Sequence, residues 1–201
     1  FANMGFSGIL DLAKYFSNVV LVLILHFVIT YFLLLRILAG LSPLGFFRDF
    51  YPVMAYAFST SSSSATLPIT LETLEKKMGI KKEVASFTAP LGATINMDGT
   101  AIMQGVATVF IAQAYSVDIG LGGYMMVILT ATMASIGTAG VPGVGLITLA
   151  LVLQQVGLPV EGIALIIGVD RLLDMLRTAI NVGGDATVAA IVAKSEGKLD
   201  Y

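Results

Sequence analysis

The chain has 201 residues, of which 57% are hydrophobic and only 12% are charged, whereas soluble domains carry about 25% charged residues. Eleven lysines and arginines accompany 13 acidic residues, so the chain has no basic field that could hold nucleic acid, and its apolar content excludes intrinsic disorder. Cysteine is absent, which excludes disulfides and thiolate metal sites.

Long uncharged stretches separate the few charges. Residues 15–35, 50–71 and 119–160 contain no Asp, Glu, Lys or Arg. Each stretch is at least as long as the ~20 apolar residues that cross a bilayer as a helix, which predicts an all-α integral membrane protein. The chain begins at Phe1 without an initiator Met, a basic n-region or an A-x-A site. We therefore expect no signal peptide and an origin within a longer polypeptide.

Residues 1–40 are interpreted as the end of a preceding helix followed by one transmembrane helix. Residues 19–35 are apolar on nearly all faces, which is typical of a helix surrounded by lipid. The helix is expected to end near Pro43, because proline lacks a backbone donor and favours an extended residue before it. His26 interrupts the apolar run, and we expect it to be packed and hydrogen-bonded rather than to act as a ligand.

Residues 44–80 predict a helical hairpin with arms over 44–59 and 65–80. The arms flank the serine-rich run at 59–64, and each is too short to span a bilayer. The backbone of such a turn cannot face lipid, so we expect a re-entrant hairpin with a buried tip; an exposed serine-rich linker is the alternative. The charged stretch at 72–83 is interpreted as an aqueous loop, and its lysines predict the cytoplasmic side.

Residues 84–117 predict one long helix that is broken in its middle. Asn96, Asp98 and Gly99 favour a break at 96–100, because glycine is permissive and Asn and Asp side chains bond to nearby backbone groups. A charge in an apolar span costs ~2.5–3.5 kcal/mol, and such residues usually mark an ion or substrate path. The alternative is a continuous helix in which Asp98 is paired with a neighbour.

A second hairpin is predicted over residues 121–155, with arms at 121–133 and 145–156. Its tip, residues 135–145, contains four glycines and one proline, which are poor helix formers and leave carbonyl and amide groups free. We therefore expect a second re-entrant hairpin. The alternative, a turn at the membrane surface, is disfavoured because residues 119–160 carry no charge.

The last predicted helix, residues 161–195, carries a polar stripe. At ~100° per residue, six polar side chains fall on one face, with Arg171 at its margin. The stripe consists of Asp170, Asp174, Arg177, Thr178, Asn181 and Asp185. Apolar segments flank the stripe on both sides, so it is expected to face a cavity or another polar element inside the membrane.

Together, these features predict a membrane site for a small zwitterion. Helix N-termini favour carboxylates, and carbonyl groups of unwound segments can replace water around a sodium ion. Asp98 and Asp185 can supply anionic oxygen to ions. Asp174 can accept an ammonium group, and Arg177 can bind a carboxylate in a bidentate manner. The order of hairpin and long helix occurs twice, which indicates an internal repeat of the kind found in secondary transporters.

Four motifs in this order resemble one known family. They read SSSSATLP at 61–68, GATINMDGT at 92–100, SIGTAGVPG at 135–143 and D-x-x-R-T-x-x-N-x-x-x-D at 174–185. The chain resembles the C-terminal half of the glutamate transporter family, the dicarboxylate/amino-acid:cation symporters. The resemblance implies an elevator-type transport domain with residues 41–201 as its core and the second hairpin as its gate.

The resemblance also implies a substrate site and co-transported sodium ions. The amino-acid site would be formed by Ser61, Ser62, Ser63, Thr100, Val141, Pro142, Gly143, Gly145, Asp174, Arg177, Thr178 and Asn181. One sodium ion would be bound by carbonyl groups of Gly92, Asn96 and Asn181 and the carboxylate of Asp185, a second by carbonyl groups of Thr94, Ser135, Ile136 and Thr138, and a third by Asn96 and Asp98. A homotrimer, formed through a scaffold outside this chain, would cross the inner or plasma membrane of the cell several times.

Two positions depart from the family pattern. Many archaeal-type relatives carry an arginine within the first serine run, and animal relatives carry one directly after the residue that stands here as Asp174. This chain has Ser61 and Met175 at those places. The arginine that tunes affinity or countertransport is therefore absent.

The leading interpretation is a sodium-coupled symporter of aspartate or glutamate, and not an enzyme. A buried Arg177 favours an acidic substrate side chain, because a neutral one would leave the guanidinium unpaired. A proton-coupled symporter of glutamate or dicarboxylates and a neutral amino-acid transporter of the same family stay open, although Asp185 favours sodium because proton-coupled relatives often carry Asn there. An anion channel is disfavoured by the mixed signs of the stripe. A serine hydrolase using residues 61–64 is disfavoured by the lack of a GxSxG elbow.

Overall fold

The computed structural model describes residues 6–201, and every regular element in that part of the chain is a helix. Residues 1–5, which include part of the predicted preceding helix, lie outside the described residues. The elements are α1 (Phe6–His26), a π-helical turn (Phe27–Tyr31), α2 (Phe32–Leu34), a second π-helical turn (Leu35–Ala39), α3 (Pro43–Thr60), α4 (Ser63–Lys76), α5 (Lys82–Ile95), α6 (Asp98–Ala114), α7 (Gly120–Ile136), α8 (Val144–Gln155), a 3-10 turn (Val160–Leu165) and α9 (Ile167–Ser195).

The first element is one continuous helix as far as Ala39, because the two π-helical turns and α2 follow α1 without a gap. Within the described residues, its segment Gly8–Ala39 is the one helix long and apolar enough to cross a membrane, while α7 and α8 are apolar but shorter. The helix ends at Gly40, whose φ of 69° is left-handed. Pro43 then opens α3, where a missing amide hydrogen costs nothing.

The tip of the first hairpin is shorter than the serine-rich run. Helix α3 extends to Thr60 and α4 begins at Ser63, so only two residues form the turn. The prediction of arms ending at 59 and starting at 65 was wrong because Ser62 caps α4: its Oγ accepts the Ala65 amide hydrogen at 3.1 Å. Helix α4 also ends at Lys76 rather than at 80, since the amides of the next residues turn back to carbonyls of its last turn.

The remaining boundaries also differ from the predicted ones. The break between α5 and α6 comprises only Asn96 and Met97, because Asp98 already opens α6 and accepts the Gly99 amide hydrogen at 3.0 Å. The second tip comprises residues 137–143. The last helix begins at Ile167, and the segment before it is a 3-10 turn instead of its predicted first turns. The predicted all-α class is confirmed for residues 6–201, in which the helix pairs α3 and α4, α5 and α6, and α7 and α8 precede α9.

Helix α9 is the centre of the molecule. It contacts α3, α4, α5, α6 and the first helix, and more than half of its 29 residues are buried. Phe27 and Phe32 of the first helix pack on Phe47 of α3, with ring centroids 4.4 and 5.7 Å from it, and this apolar cluster closes one side of the core. The predicted polar stripe of α9 is buried, while Arg171 at its margin is exposed.

The last four residues, 198–201, form a C-terminal strap across the loop between α4 and α5. Leu199 makes an isolated β-bridge with Ile80, and the Asp200 amide donates to the Gly79 carbonyl at 2.8 Å. The Tyr201 hydroxyl donates to Asp49 of α3 at 2.9 Å, and partial burial together with this carboxylate raises the pKa of Tyr201 to about 12. The strap thus joins the end of α9 to the base of the first hairpin.

Candidate functional site

The two hairpin tips touch each other through Gly140. The Ser62 hydroxyl donates to the Gly140 carbonyl at 2.6 Å, and the Ser64 amide donates to the same oxygen at 3.1 Å. A Cβ at position 140 would lie 2.9 Å from the Ala93 carbonyl oxygen and 2.8 Å from Ser64 Oγ. Only glycine fits there, so the second tip rests directly on the first tip and on α5.

The first turn of α6, directly after the break, lies in close contact with α9. The Gly99 amide donates to Asn181 Oδ1 at 2.8 Å. A Cβ on Gly99 would lie 2.8 Å from the same oxygen and 3.1 Å from the Arg177 carbonyl oxygen. The lack of a side chain at position 99 therefore allows the N-terminus of α6 to approach the polar stripe.

A small cleft lies where the two tips, the break and α9 meet. Eight of the residues predicted to bind substrate line it: Ser61, Ser63, Thr100, Val141, Gly145, Asp174, Thr178 and Asn181. The cleft is also lined by Met97, Thr138, Ala139 and Gly140. The other four predicted residues adjoin it: Ser62 bonds to Gly140, Gly143 bonds to Asp174, Arg177 is bound by two aspartates, and Pro142 is exposed at the tip.

Arg177 is the most deeply buried charge of this region, with 1% of its surface exposed. Its Nη1 donates to Asp170 Oδ1 and its Nη2 to Asp174 Oδ1, both at 2.8 Å. Asp174 also accepts the Gly143 amide hydrogen at 3.0 Å through its second oxygen. The guanidinium Nε has no acceptor among the described residues. The cluster therefore holds two carboxylates around one cation, and part of the donor capacity of Arg177 is unused.

Four residues of the first predicted sodium site lie together. Asn96 Nδ2 donates to Asp185 Oδ1 at 2.9 Å and to the Asn181 carbonyl at 3.2 Å. Gly92 faces the same carboxylate so closely that a Cβ there would overlap it. Asp185 is 3% exposed, and no Lys, Arg or His in the described part of the chain lies within ion-pair distance of it. A buried carboxylate of this kind requires a cation or a proton.

The second predicted sodium set is less closely joined. Thr94 is exposed, and its hydroxyl donates to the carbonyls of Pro90 and Leu91 on its own helix. Thr138 turns back within the second tip, with its amide on the Ser135 carbonyl at 3.2 Å, while Ile136 is half exposed. Helices α5 and α7 are in contact. Among the described residues, however, no hydrogen bond connects Thr94 to the other three residues of this set.

Asp98, predicted to take part in a third sodium site, is bound by the first helix. His26 Nε2 lies 2.5 Å from its Oδ2, and the Tyr31 hydroxyl donates to the same oxygen. His26 is thus hydrogen-bonded, as expected. Nowhere in residues 6–201 do three or more His, Cys, Asp or Glu side chains converge as they do in a transition-metal site. The Asp185 carboxylate and the Asn181 carbonyl, which share the Asn96 amide, are oxygen donors that suit a hard cation.

Sequence reasoning missed several residues of the site. Asp170 was placed on the stripe without a role, although its distance of seven residues from Arg177 puts both on one face of a helix. Met97 lines the cleft, and its Sδ lies 3.4 Å from Asn181 Nδ2. Tyr31 gave no local signal, because its partner Asp98 lies 67 residues later in the chain.

Comparison with known proteins agrees with this geometry. The sequence profile of the sodium:dicarboxylate symporter family matches residues 1–195. The chain is similar to the excitatory amino acid transporter of Caenorhabditis elegans, with 48% identity over 181 residues that make up 90% of this chain and 36% of the relative. It is similar to excitatory amino acid transporter 1 of Rattus norvegicus (46% identity; 90% of this chain, 34% of the relative) and to excitatory amino acid transporter 2 of Homo sapiens (45%; 92% and 33%).

The chain spans about a third of the length of these curated relatives. The family match nevertheless extends over every helix that forms the cleft, from the first hairpin to Asp185 in α9. The resemblance expected from the four motifs is therefore confirmed, and the chain belongs to the sodium:dicarboxylate symporter family.

Proposed function

We propose that the protein is a secondary transporter that takes up an acidic amino acid together with sodium ions. The observation that carries this proposal is the buried Arg177, held at 2.8 Å by both Asp170 and Asp174 beside the two hairpin tips. A guanidinium in this position is suited to a carboxylate ligand. The names of the relatives, excitatory amino acid transporters, support the same substrate class.

Substrate binding is proposed to proceed by exchange of partners. The ammonium group of the amino acid binds Asp174, which releases Arg177 Nη2 and the Gly143 amide from that carboxylate. The substrate's side-chain carboxylate then takes the place of Asp174 on the guanidinium, while Asp170 stays on Nη1. Each buried charge keeps an opposite partner throughout, so the exchange avoids the cost of an unpaired buried ion. The remaining oxygens of the substrate bind polar groups that line the cleft, which belong to Ser61, Ser63, Thr100, Thr178 and Asn181.

Sodium coupling is proposed to depend on Asp185. Its carboxylate is buried and bonded to the Asn96 amide at 2.9 Å, and a sodium ion among the oxygens of Gly92, Asn96 and Asn181 would neutralise it. The family name supports sodium as the coupling ion. The proposal includes two further ions. The second is bound by the carbonyls of Thr94, Ser135, Ile136 and Thr138, and the third by Asn96 and Asp98.

The movement is proposed to be of the elevator type, with residues 41–201 as the mobile core. Both hairpins enter the membrane without crossing it, and the second one acts as the gate, since its tip at 137–143 is irregular and begins α8 at a left-handed Gly143 (φ 80°). The chain is proposed to lie in the inner or plasma membrane, as part of a homotrimer whose scaffold is formed by residues outside this chain.

The direct test is isothermal titration of the protein with L-aspartate, L-glutamate and L-alanine, with and without sodium. We expect both acidic amino acids to bind in sodium, L-alanine to bind far more weakly, and binding to be lost when sodium is replaced by choline. Binding of aspartate that is unchanged in choline would refute sodium coupling, and equal affinity for alanine would refute the role of Arg177.

A further inference from the structure

Gln104 connects the broken helix to the second hairpin. It lies in α6 one turn after Thr100 and is fully buried. Its Nε2 donates to Thr148 Oγ1 of α8 at 2.7 Å and lies 3.4 Å from the Gly145 carbonyl oxygen. A buried amide is costly unless it is hydrogen-bonded, and Gln104 Oε1 has no partner among the described residues. The Nε2 contacts are therefore what ties this side chain to α8.

The direction of the hydrogen bond is set by Thr148. Its hydroxyl has one hydrogen, which points to the carbonyls of Val144 and Gly145 at 3.3 and 3.2 Å in the preceding turn. The lone pairs of the hydroxyl are left to accept from Gln104. Valine has the shape of threonine without the acceptor, whereas serine retains the acceptor. The two substitutions at Thr148 therefore separate the hydrogen bond from the packing.

The N-terminal end of α8 also contacts charged residues of the substrate site. The Gly143 amide donates to Asp174 at 3.0 Å, and Gly145 is so close to Arg177 that a Cβ would lie 3.2 Å from Nη2. The exchange proposed above removes the Asp174 contact when an ammonium group arrives. The contact between Gln104 and Thr148 involves neither the Asp174 carboxylate nor the substrate carboxylate. It is therefore unaffected by the exchange of partners.

We propose that Gln104 and Thr148 form a latch that keeps the second hairpin on α6 while Asp174 changes partners. Both are positioning residues, because neither lies on the substrate; the proposal rests on the proposed function in taking the second hairpin as the gate. A hydrogen bond of ordinary net strength corresponds to about a threefold to tenfold change in an equilibrium constant. Loss of the latch is expected to increase opening of the hairpin tip by that factor.

The test measures opening of the tip with a single thiol. The chain contains no cysteine, so Ala93→Cys provides one reporter, because Ala93 is buried and its carbonyl oxygen lies against Gly140 of the tip. Its rate of alkylation by a maleimide is measured in the purified protein without substrate. We expect Thr148→Val to raise this rate about threefold to tenfold and Thr148→Ser to leave it near that of the parent. Equal rates for the valine and serine variants would overturn the latch.

A second variant separates the hydrogen bond from other effects. Gln104→Met removes the donor, and the double variant with Thr148→Val should open no more than either single variant, because both remove the same bond. Rates that multiply in the double variant would overturn the proposal. Slowing of alkylation by aspartate with sodium in the parent tests the proposed function independently, since the latch comparison uses no substrate.

Discussion

Arg177 is the residue on which selectivity for an acidic substrate depends. We predict that Arg177→Cys lowers aspartate affinity about 30-fold or more, since loss of one partner of a buried, hydrogen-bonded charge pair costs about 2–5 kcal/mol. Affinity for neutral amino acids should rise relative to aspartate. Isothermal titration in sodium measures both. The control is Arg171→Cys, which removes an exposed arginine from the same helix and should change neither affinity; undiminished aspartate binding by the Arg177 variant would contradict the assignment.

Asp185 is the residue on which sodium coupling depends. Asparagine at this position keeps the shape and the oxygen but removes the charge that a buried sodium ion neutralises. We predict that Asp185→Asn raises the sodium concentration for half-maximal aspartate binding roughly tenfold or more, because a neighbouring unit charge in a protein contributes several kcal/mol. Asp118→Asn, at an exposed helix start, is the control. An unchanged sodium requirement in the Asp185 variant would locate the coupling ion elsewhere.

For single residues, helical periodicity predicted which side chains share a face of one helix. It did not predict contacts between side chains of different helices. The spacing of Asp174, Arg177 and Asp185 places them on one face of α9, and all three are buried there. His26 and Tyr31 could not be assigned to Asp98, because the partners are 72 and 67 residues apart and no motif surrounds His26 or Tyr31. Such pairings arise from tertiary packing, which local sequence does not encode.

Among the contacts between elements, the one between the two hairpin tips has the tightest steric requirement. Gly140 receives two hydrogen bonds from the first tip and touches the Ala93 carbonyl. We predict that Gly140→Ala destabilises the closed arrangement by about 1–3 kcal/mol, as overpacking does in tight cores, and lowers affinity for aspartate and sodium together. Gly122→Ala in α7 is the matched control, because a Cβ there meets nothing within 4 Å.

The measurement is titration of both variants, with circular dichroism to verify their helix content. Wild-type affinities in the Gly140 variant would show that the tips need not touch for binding. A loss shared by the Gly122 variant would point to the stability of the hairpin as a whole instead of this contact.

The elements themselves were largely predictable, and their ends were not. Hairpin, broken helix, hairpin and final helix follow from glycine, proline and polar clusters between apolar segments. The predicted arms left residues 60–64 as the tip, yet Ser62 caps α4 and leaves a turn of two residues. Serine favours both turns and N-caps, and only the surrounding contacts, here the carbonyl of Gly140, select between them.

In the whole molecule, α9 makes two connections, and a sequence pattern indicates only the first of them. Its polar stripe meets the tips and the break, and its C-terminal strap meets the base of the first hairpin. The first hairpin is thereby held at both ends, at its tip by Gly140 and at its base by Gly79, Ile80 and Asp49. The second hairpin lacks a comparable anchor to the strap among the described residues, which is consistent with its proposed role as the moving gate.

The strap is tested by comparing two glycines with the same backbone conformation. Gly79 (φ 58°) faces the Asp200 backbone, where a Cβ would lie 2.6 Å from the carbonyl carbon, whereas Gly157 (φ 72°) has nothing within 4 Å. Alanine at either position bears the left-handed cost of roughly 1–2 kcal/mol, but only Gly79→Ala also displaces the strap. We therefore predict a lower thermal midpoint for Gly79→Ala than for Gly157→Ala in detergent. Identical midpoints would mean that the strap does not stabilise the base of the first hairpin, and rigidity of that hairpin would then depend on its tip alone.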